Sequence, residues 1–493
     1  MPPSQPHALS DALTLLLARL PRRYLLPAYD QLAHMALTAA SNTANAAAVI
    51  AITIEQARRI QAAGDVPGAA LQGRFISALA QLIRDAMRTD AGDPVFQAMV
   101  LRHRAPQVRE FASLSAHAAR DRRELLAAIN AIAHPGKQQR LAAGPLRTAL
   151  ARLHETGLAA LQTPVASWPR FADSIQAALS VPQSAADGAT ATALRRLLES
   201  AAGARLRRLD ALTRDGDVRR YQTLWERIGP RSGSDRAIAQ GAASHRRGAA
   251  VEARTQKALD ALAQRLEATE AGRFSYRVVT SMRVPATIAA ATDHAKTEWD
   301  AVLLRQPRGD HAATAPHAVP TPAPAPAATP WDVCLLVEAK ASADAAAADL
   351  PRLLRGLKVL AQADAATDYR FSTRQGDVLL RGASLCGLCE DAQSVARTVL
   401  YCCDASAQDR PRLLSAASRM QLLSAPASLA FASALAEGRA AEAGALQDAW
   451  RQLLESPQWA PVLQQYVALR QVRALMVSVD DLLAAGLPVG EAG

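Results

Sequence analysis

Apolar residues in this chain recur at spacings of three and four as far as about residue 228, and several segments beyond it alternate in twos. These are the periods of helix and of strand, so the chain cannot be one repeating architecture. In the first part, runs such as GRFISALAQLIRDAMR, RELLAAINAIA and LRTALARLHETGLAALQ keep Leu, Ile and Ala on one helical face. AGDVPG (63–68), HPGK (134–137), TPVASWP (163–169) and VPQSAADG (181–188) break them. Residues 1–228 therefore read as an antiparallel helical bundle or array, without the fixed-period repeat of a solenoid. Alanine supplies much of the 50% hydrophobic content and aromatics only 4%, which suits helices packed through small side chains better than a sandwich or barrel.

GPRSGSD (229–235), rich in Gly, Ser and Pro, opens a linker drawn over 229–244. From 245 to 403 the pattern is mixed α/β. A helix carrying Val251, Glu252, Leu259, Leu262 and Leu266 leads to strands FSYRVVTSMRV (274–284), EWDAVLLR (298–305) and WDVCLLVEAKAS (331–342). A Pro/Ala segment, 306–330, cannot pair into a sheet and reads as an exposed insertion. A helix through LPRLLRGLKVLAQA (350–363) and a fourth strand, GDVLLRGASL (376–385), complete an αβββαβ order, and 404–493 returns to helix. The expectation is a multidomain α plus α/β chain, in keeping with 493 residues.

The formal charge of +11 fits an anionic partner, with nucleic acid first. Lysine is scarce: Lys137, Lys257, Lys296, Lys340 and Lys358 stand against 51 arginines among 56 basic residues. A retained lysine marks a place where a compact ammonium can do what a guanidinium cannot. The first residues lack a basic region ahead of their apolar run, and 32–54, broken by Ser41, Asn42, Thr43 and Asn45, is rejected as a membrane span. An odd number of cysteines, five, argues against a disulfide framework, so a cytoplasmic protein without a membrane role is expected.

One strand carries most of the chemistry. WDVCLLVEAKAS is apolar until Glu338 and Lys340, which share a face because they are two residues apart. Charges at the end of a buried strand are costly unless paired or metal-bound. If the two strands form a hairpin with Arg305 opposite Asp332, Asp300 falls opposite Val337, one residue from Glu338. Asp332 shares the face of Glu338 but lies roughly 20 Å away at about 3.3 Å per residue, too far to share an ion. Asp300 and Glu338 offer hard oxygen ligands to Mg²⁺ or Mn²⁺, with the Ala339 carbonyl as a further candidate.

Asp300, followed by Glu338-Ala339-Lys340 on the next strand, after a helix bearing Glu252, resembles the PD-(D/E)XK or restriction-endonuclease-like nuclease superfamily over about 245–400. The Pro/Ala insertion and the lack of a proline directly before Asp300 depart from that pattern. The resemblance implies a metal-dependent nuclease acting on nucleic acid, DNA first. Asp300, Glu338 and Ala339 would hold the metal, Glu252 would hold a second metal or its water, and Lys340 would orient water, offset developing charge or, deprotonated, act as base. The alternative is a helical scaffold or adaptor whose nuclease-like domain binds nucleic acid without cutting. Whether the chain pairs into a homodimer is left open.

Two basic groups are candidate phosphate contacts: His245, Arg246 and Arg247 before Glu252, and Arg352, Arg355 and Lys358, spaced three apart on one helix face. A solvated basic face is the competing reading of the second group. Cys386-x-x-Cys389 with Cys402-Cys403 invites a metal reading, but adjacent cysteines in a strand cannot easily point the same way, and buried structural cysteines are commoner.

Overall fold

The computed structural model describes residues 11–29, 31, 45–162, 164–229, 234–288, 294–308, 329–388, 391–406 and 412–487. Most of the Pro/Ala insertion (309–328), residues 32–44 of the rejected membrane candidate, residues 230–233 of the linker and Cys389 lie outside them. The protein is mostly helical, at 67%, with a mixed five-stranded sheet. Among the described residues no helix is long and apolar enough to cross a membrane.

The chain divides into two compact units whose limits differ from those read in the sequence. One comprises residues 83–231 with 423–445, the other residues 1–82, 232–422 and 446–493. The first is helical. Its core joins Leu125 and Ile129 to Leu153, Phe171, Ile175, Leu194 and Leu206. Prolines at first-turn positions start many of these helices, where the missing N–H is no loss; Asp93 caps one of them, and Asp215 caps Gly216–Ile228. Pro426–Ala436, from the C-terminal region, belongs to the same unit and packs against Pro94–Arg104.

In the other unit, helix α1 (Asp11–Arg19) buries Leu13 and Leu17 in the same cluster as α2 (Asp235–Thr269). Its apolar stripe thus serves the sheet unit, although nothing in that stripe says which core it will join. Helix α2 also overrides most of the expected linker. Ser234 caps it, accepting from the Ala237 N–H, and the Ala/Gln/Arg-rich stretch continues as helix into the stripe Val251, Thr255, Ala258, Leu259, Leu262 and Leu266.

Strands β1 (Phe274–Arg283), β2 (Glu298–Pro307) and β3 (Asp332–Lys340) pair antiparallel. Helix α3 (Ala343–Leu360) crosses one face of the sheet. The strands next in the chain, β4 (Asp368–Phe371) and β5 (Val378–Arg381), do not enter it. They form a separate hairpin: a strand does stand within 376–385, at 378–381, but it is not the fourth strand of the main sheet, and Gly382–Cys386 is helix. The place beside β3 is taken by β6 (Val399–Cys403), running parallel. Every residue of β6 is buried, and such a strand, covered on both faces, lacks the alternation that announces a half-exposed one.

A last strand, β7 (Met476–Ser478), follows helix α4 (Gln465–Ala474) and pairs parallel to β6, giving the order β1-β2-β3-β6-β7. Helix α5 (Val479–Gly486) then packs on α2, where Gly486 is needed because a Cβ there would stand 2.7 Å from Ala261 Cβ. The C-terminal region is therefore not wholly helical. One sheet face holds Ala301, Leu303, Leu335, Val337, Leu400, Cys402 and Val477 against α1, α2 and α5. The other holds Val302, Leu304, Leu336, Val399, Tyr401 and Cys403 against α3.

Candidate active site

Arg305 does pair with Asp332, but Ala301, not Asp300, pairs with Val337. A register shift between Leu303 and Leu304 lets Cys334 bulge out of the ladder, so the pairing gains one residue by the far end. Asp300 thus stands level with Glu338, closer than a regular hairpin would bring it. Its Oδ2 accepts a hydrogen bond from the Ala339 N–H at 2.9 Å, tying it to the residue between Glu338 and Lys340.

The strand is irregular here on both sides. Thr280 pairs with Ala301 and Met282 with Trp299, while Ser281, the residue between, has φ 52°. Trp299 shares a core cluster with Val302 and Leu304, so β2 breaks its alternation at Asp300. A left-handed, non-glycine residue beside an acid whose strand changes phase is a local strain that re-aims a side chain.

Glu338 is fully buried. Its Oε2 takes two ammonium groups, Lys296 Nζ at 2.9 Å and Lys340 Nζ at 3.0 Å. Lys340 also pairs with Asp349 of α3 at 3.1 Å. Burial first, then the Asp300 carboxylate, push the Glu338 pKa up to about 7 in spite of the two ammoniums. Desolvation lowers that of Lys340, but Glu338, Asp349 and Asp300 outweigh it and the pKa is raised. Lys340 is thus held as an ammonium, which favours charge stabilisation over the role of base.

Tyr401, the register partner of Glu338 on β6, is buried beside the Asp349 carboxylate. Burial, then Asp349 and Glu338, raise its pKa. Glu338 Oε1 is buried without a hydrogen-bond partner. Two carboxylates, one with a free buried oxygen, beside the main chain of Ala339 suit a hard divalent cation that draws its remaining ligands from water. Among the described residues no three His, Cys, Asp or Glu side chains group as a ligand set.

Glu252 lies on the exposed side of α2. Partial desolvation, then Asp300, raise its pKa, opposed by Arg374 and His245, so it is within electrostatic reach of Asp300. Arg374 comes from the β4–β5 turn, held to β1 through its N–H on the Thr280 carbonyl at 2.9 Å. His245, Arg246 and Arg247 are exposed on the outer turns of α2. Arg352, Arg355 and Lys358 are exposed on α3, and Arg355 is engaged, donating to the His294 carbonyl at 3.2 and 3.0 Å. Cys402 and Cys403 join opposite faces of the sheet, and burial raises the pKa of both thiols, which makes them packing residues.

Lys296, Asp349 and Tyr401 complete a site of which the sequence reading named only part. The scarcity of lysine pointed at Lys296. Asp349 sits three residues after Ala346 on the buried stripe of α3, an acid on an apolar face. Tyr401 follows only from the β3–β6 register. No family model, no curated protein and no solved structure matched this chain in the three comparisons made.

Proposed function

We propose that the chain is a Mg²⁺- or Mn²⁺-dependent nuclease of the PD-(D/E)XK type, cleaving phosphodiester bonds of nucleic acid, DNA first. The observation that carries this reading is the hydrogen bond from Ala339 N–H to Asp300, which ties together the two strands bearing Asp300, Glu338 and Lys340. Asp300 and the free oxygen of Glu338 would hold the ion with the Ala339 carbonyl, and Glu252, within electrostatic reach of Asp300, would orient its water. A divalent ion in such a site polarises a phosphoryl oxygen and lowers the cost of developing charge. Lys340, pinned between Glu338 and Asp349, keeps its ammonium aimed and positive for the phosphate. The exposed cations of α2 and α3, with Arg374, would grip flanking phosphates.

Full-length protein with Mg²⁺ or Mn²⁺ is expected to cut supercoiled or linear DNA, with RNA tested beside it. EDTA should abolish cutting, and Lys340→Ala and Glu338→Gln should each lower the rate at least about 100-fold. Equal rates in wild type and Lys340→Ala on every substrate would end the enzymatic reading. A second reading has its own support: Glu338 is already compensated by two ammoniums within 3.0 Å, as in a domain that binds nucleic acid without cutting. That reading requires salt-sensitive binding with no cleavage at any metal concentration.

A further inference from the structure

Two of the chain's five lysines meet on one oxygen of one carboxylate, in a protein that uses arginine for its other 51 basic positions. Lys340 belongs to the Glu-x-Lys pair, but Lys296 does not. It lies before β2, is 4% exposed, and its ammonium sits 5.7 Å from the Trp299 ring centre. A buried ammonium is costly, so a fold that holds one has built the place for it.

The construction is visible in the backbone. The Lys296 N–H donates to the Arg352 carbonyl at 3.2 Å, and the Thr297 carbonyl accepts from Val284 at 2.9 Å. His294, two residues earlier, takes φ 63° with its carbonyl held by Arg355. Helix α3 approaches so closely that a Cβ on Gly356 would lie 2.8 Å from Lys296 Cβ and 2.9 Å from its carbonyl oxygen. Four separate contacts thus fix the 294–297 segment that carries this lysine.

We infer that Lys296 is a positioning residue that stands in for a second metal ion: it takes Oε2 of Glu338 and leaves Oε1 to a single divalent cation. The inference rests on the metal-dependent reading above. Charge supports it. With Glu338 ionised, and leaving aside Glu252, which is solvent-exposed and screened, Asp300, Glu338 and Asp349 against Lys296 and Lys340 leave one net negative charge among these five groups. One divalent ion and one phosphodiester bring the sum to zero, whereas two ions would leave an excess of two positive charges in a desolvated place.

Mn²⁺ titration of the full chain at fixed pH, followed by electron paramagnetic resonance, tests this without recourse to activity. Wild type and Lys296→Arg should bind one ion per chain. Lys296→Met, freed of the ammonium's repulsion, should bind Mn²⁺ at least about tenfold more tightly. Lys296→Gln, which keeps a donor for Oε2 without the charge, is read alongside in case the Met variant does not fold, with circular dichroism as the check. Two ions on the wild type, or an unchanged or weaker Kd in both neutral variants, overturns the role of Lys296. No Mn²⁺ on folded wild type overturns the metal-dependent reading itself, and this inference with it.

Discussion

At the scale of single residues, the site works against the stability of the metal-free fold. Glu338 holds its proton to about pH 7 when folded, against 4.5 as its ordinary value. The folded state therefore binds this proton more tightly than the unfolded chain does. The stability this contributes is fully present below about pH 4.5 and is lost as the pH rises through about 7. The loss reaches about 3 kcal/mol at 1.36 kcal/mol per pKa unit. Urea denaturation in EDTA at intervals from pH 4.5 to 8 checks it: wild type should lose stability over this window relative to Glu338→Gln, and a constant difference between the two would sink the idea. Glu338 and Lys340 were legible in the sequence because charges ending an apolar strand demand partners. The partners themselves were not, since Lys296 and Asp349 reach Glu338 and Lys340 through a loop and a helix that no short motif records.

At the scale of elements, β1, β2 and β3 and the helices flanking them could be read from period alone, and their order held. The register could not, because one bulged residue, Cys334, resets every pairing beyond it. The choice between β5 and β6 also escaped. Both are short apolar runs, and only β6 is covered on both faces and so free to lie inside the sheet. Ser281 marks the other irregularity. At φ 52° an L-residue bears roughly 1 kcal/mol of steric cost that glycine avoids. Ser281→Gly should accordingly raise stability by about 0.5–1 kcal/mol, while Ser281→Val, branched at Cβ, should lower it by about 1 kcal/mol or more. Denaturation midpoints at unchanged slope decide the matter, and two variants moving the same way would show that the strand is not strained there.

At the scale of the whole molecule, the sequence drew a nuclease-like domain at 245–403, and the contacts of the sheet unit do not respect that limit. The α2-side core takes Leu13, Leu17 and Leu20 from the first helix and its exit, and Val477, Val479 and Leu482 from the last strand and helix. The α3-side core takes Tyr24, Val472, Leu475 and Met476. Hydrophobic period shows that such residues face a core but not which core, and long-range closure of this kind leaves no local mark. At about 1.5–3 kcal/mol for each buried large apolar side chain, these ten residues contribute on the order of 10 kcal/mol or more, comparable to the whole stability of a typical domain. Removing β7 would also bare the edge of β6, a strand buried along its full length. A 245–403 fragment should therefore show no cooperative urea transition and should associate through that edge, while the full chain unfolds cooperatively. Circular dichroism with sedimentation of both would decide it. A fragment that melts cooperatively at the midpoint of the full chain would mean that the terminal segments only decorate the sheet, and that the boundary drawn from sequence was the physical one.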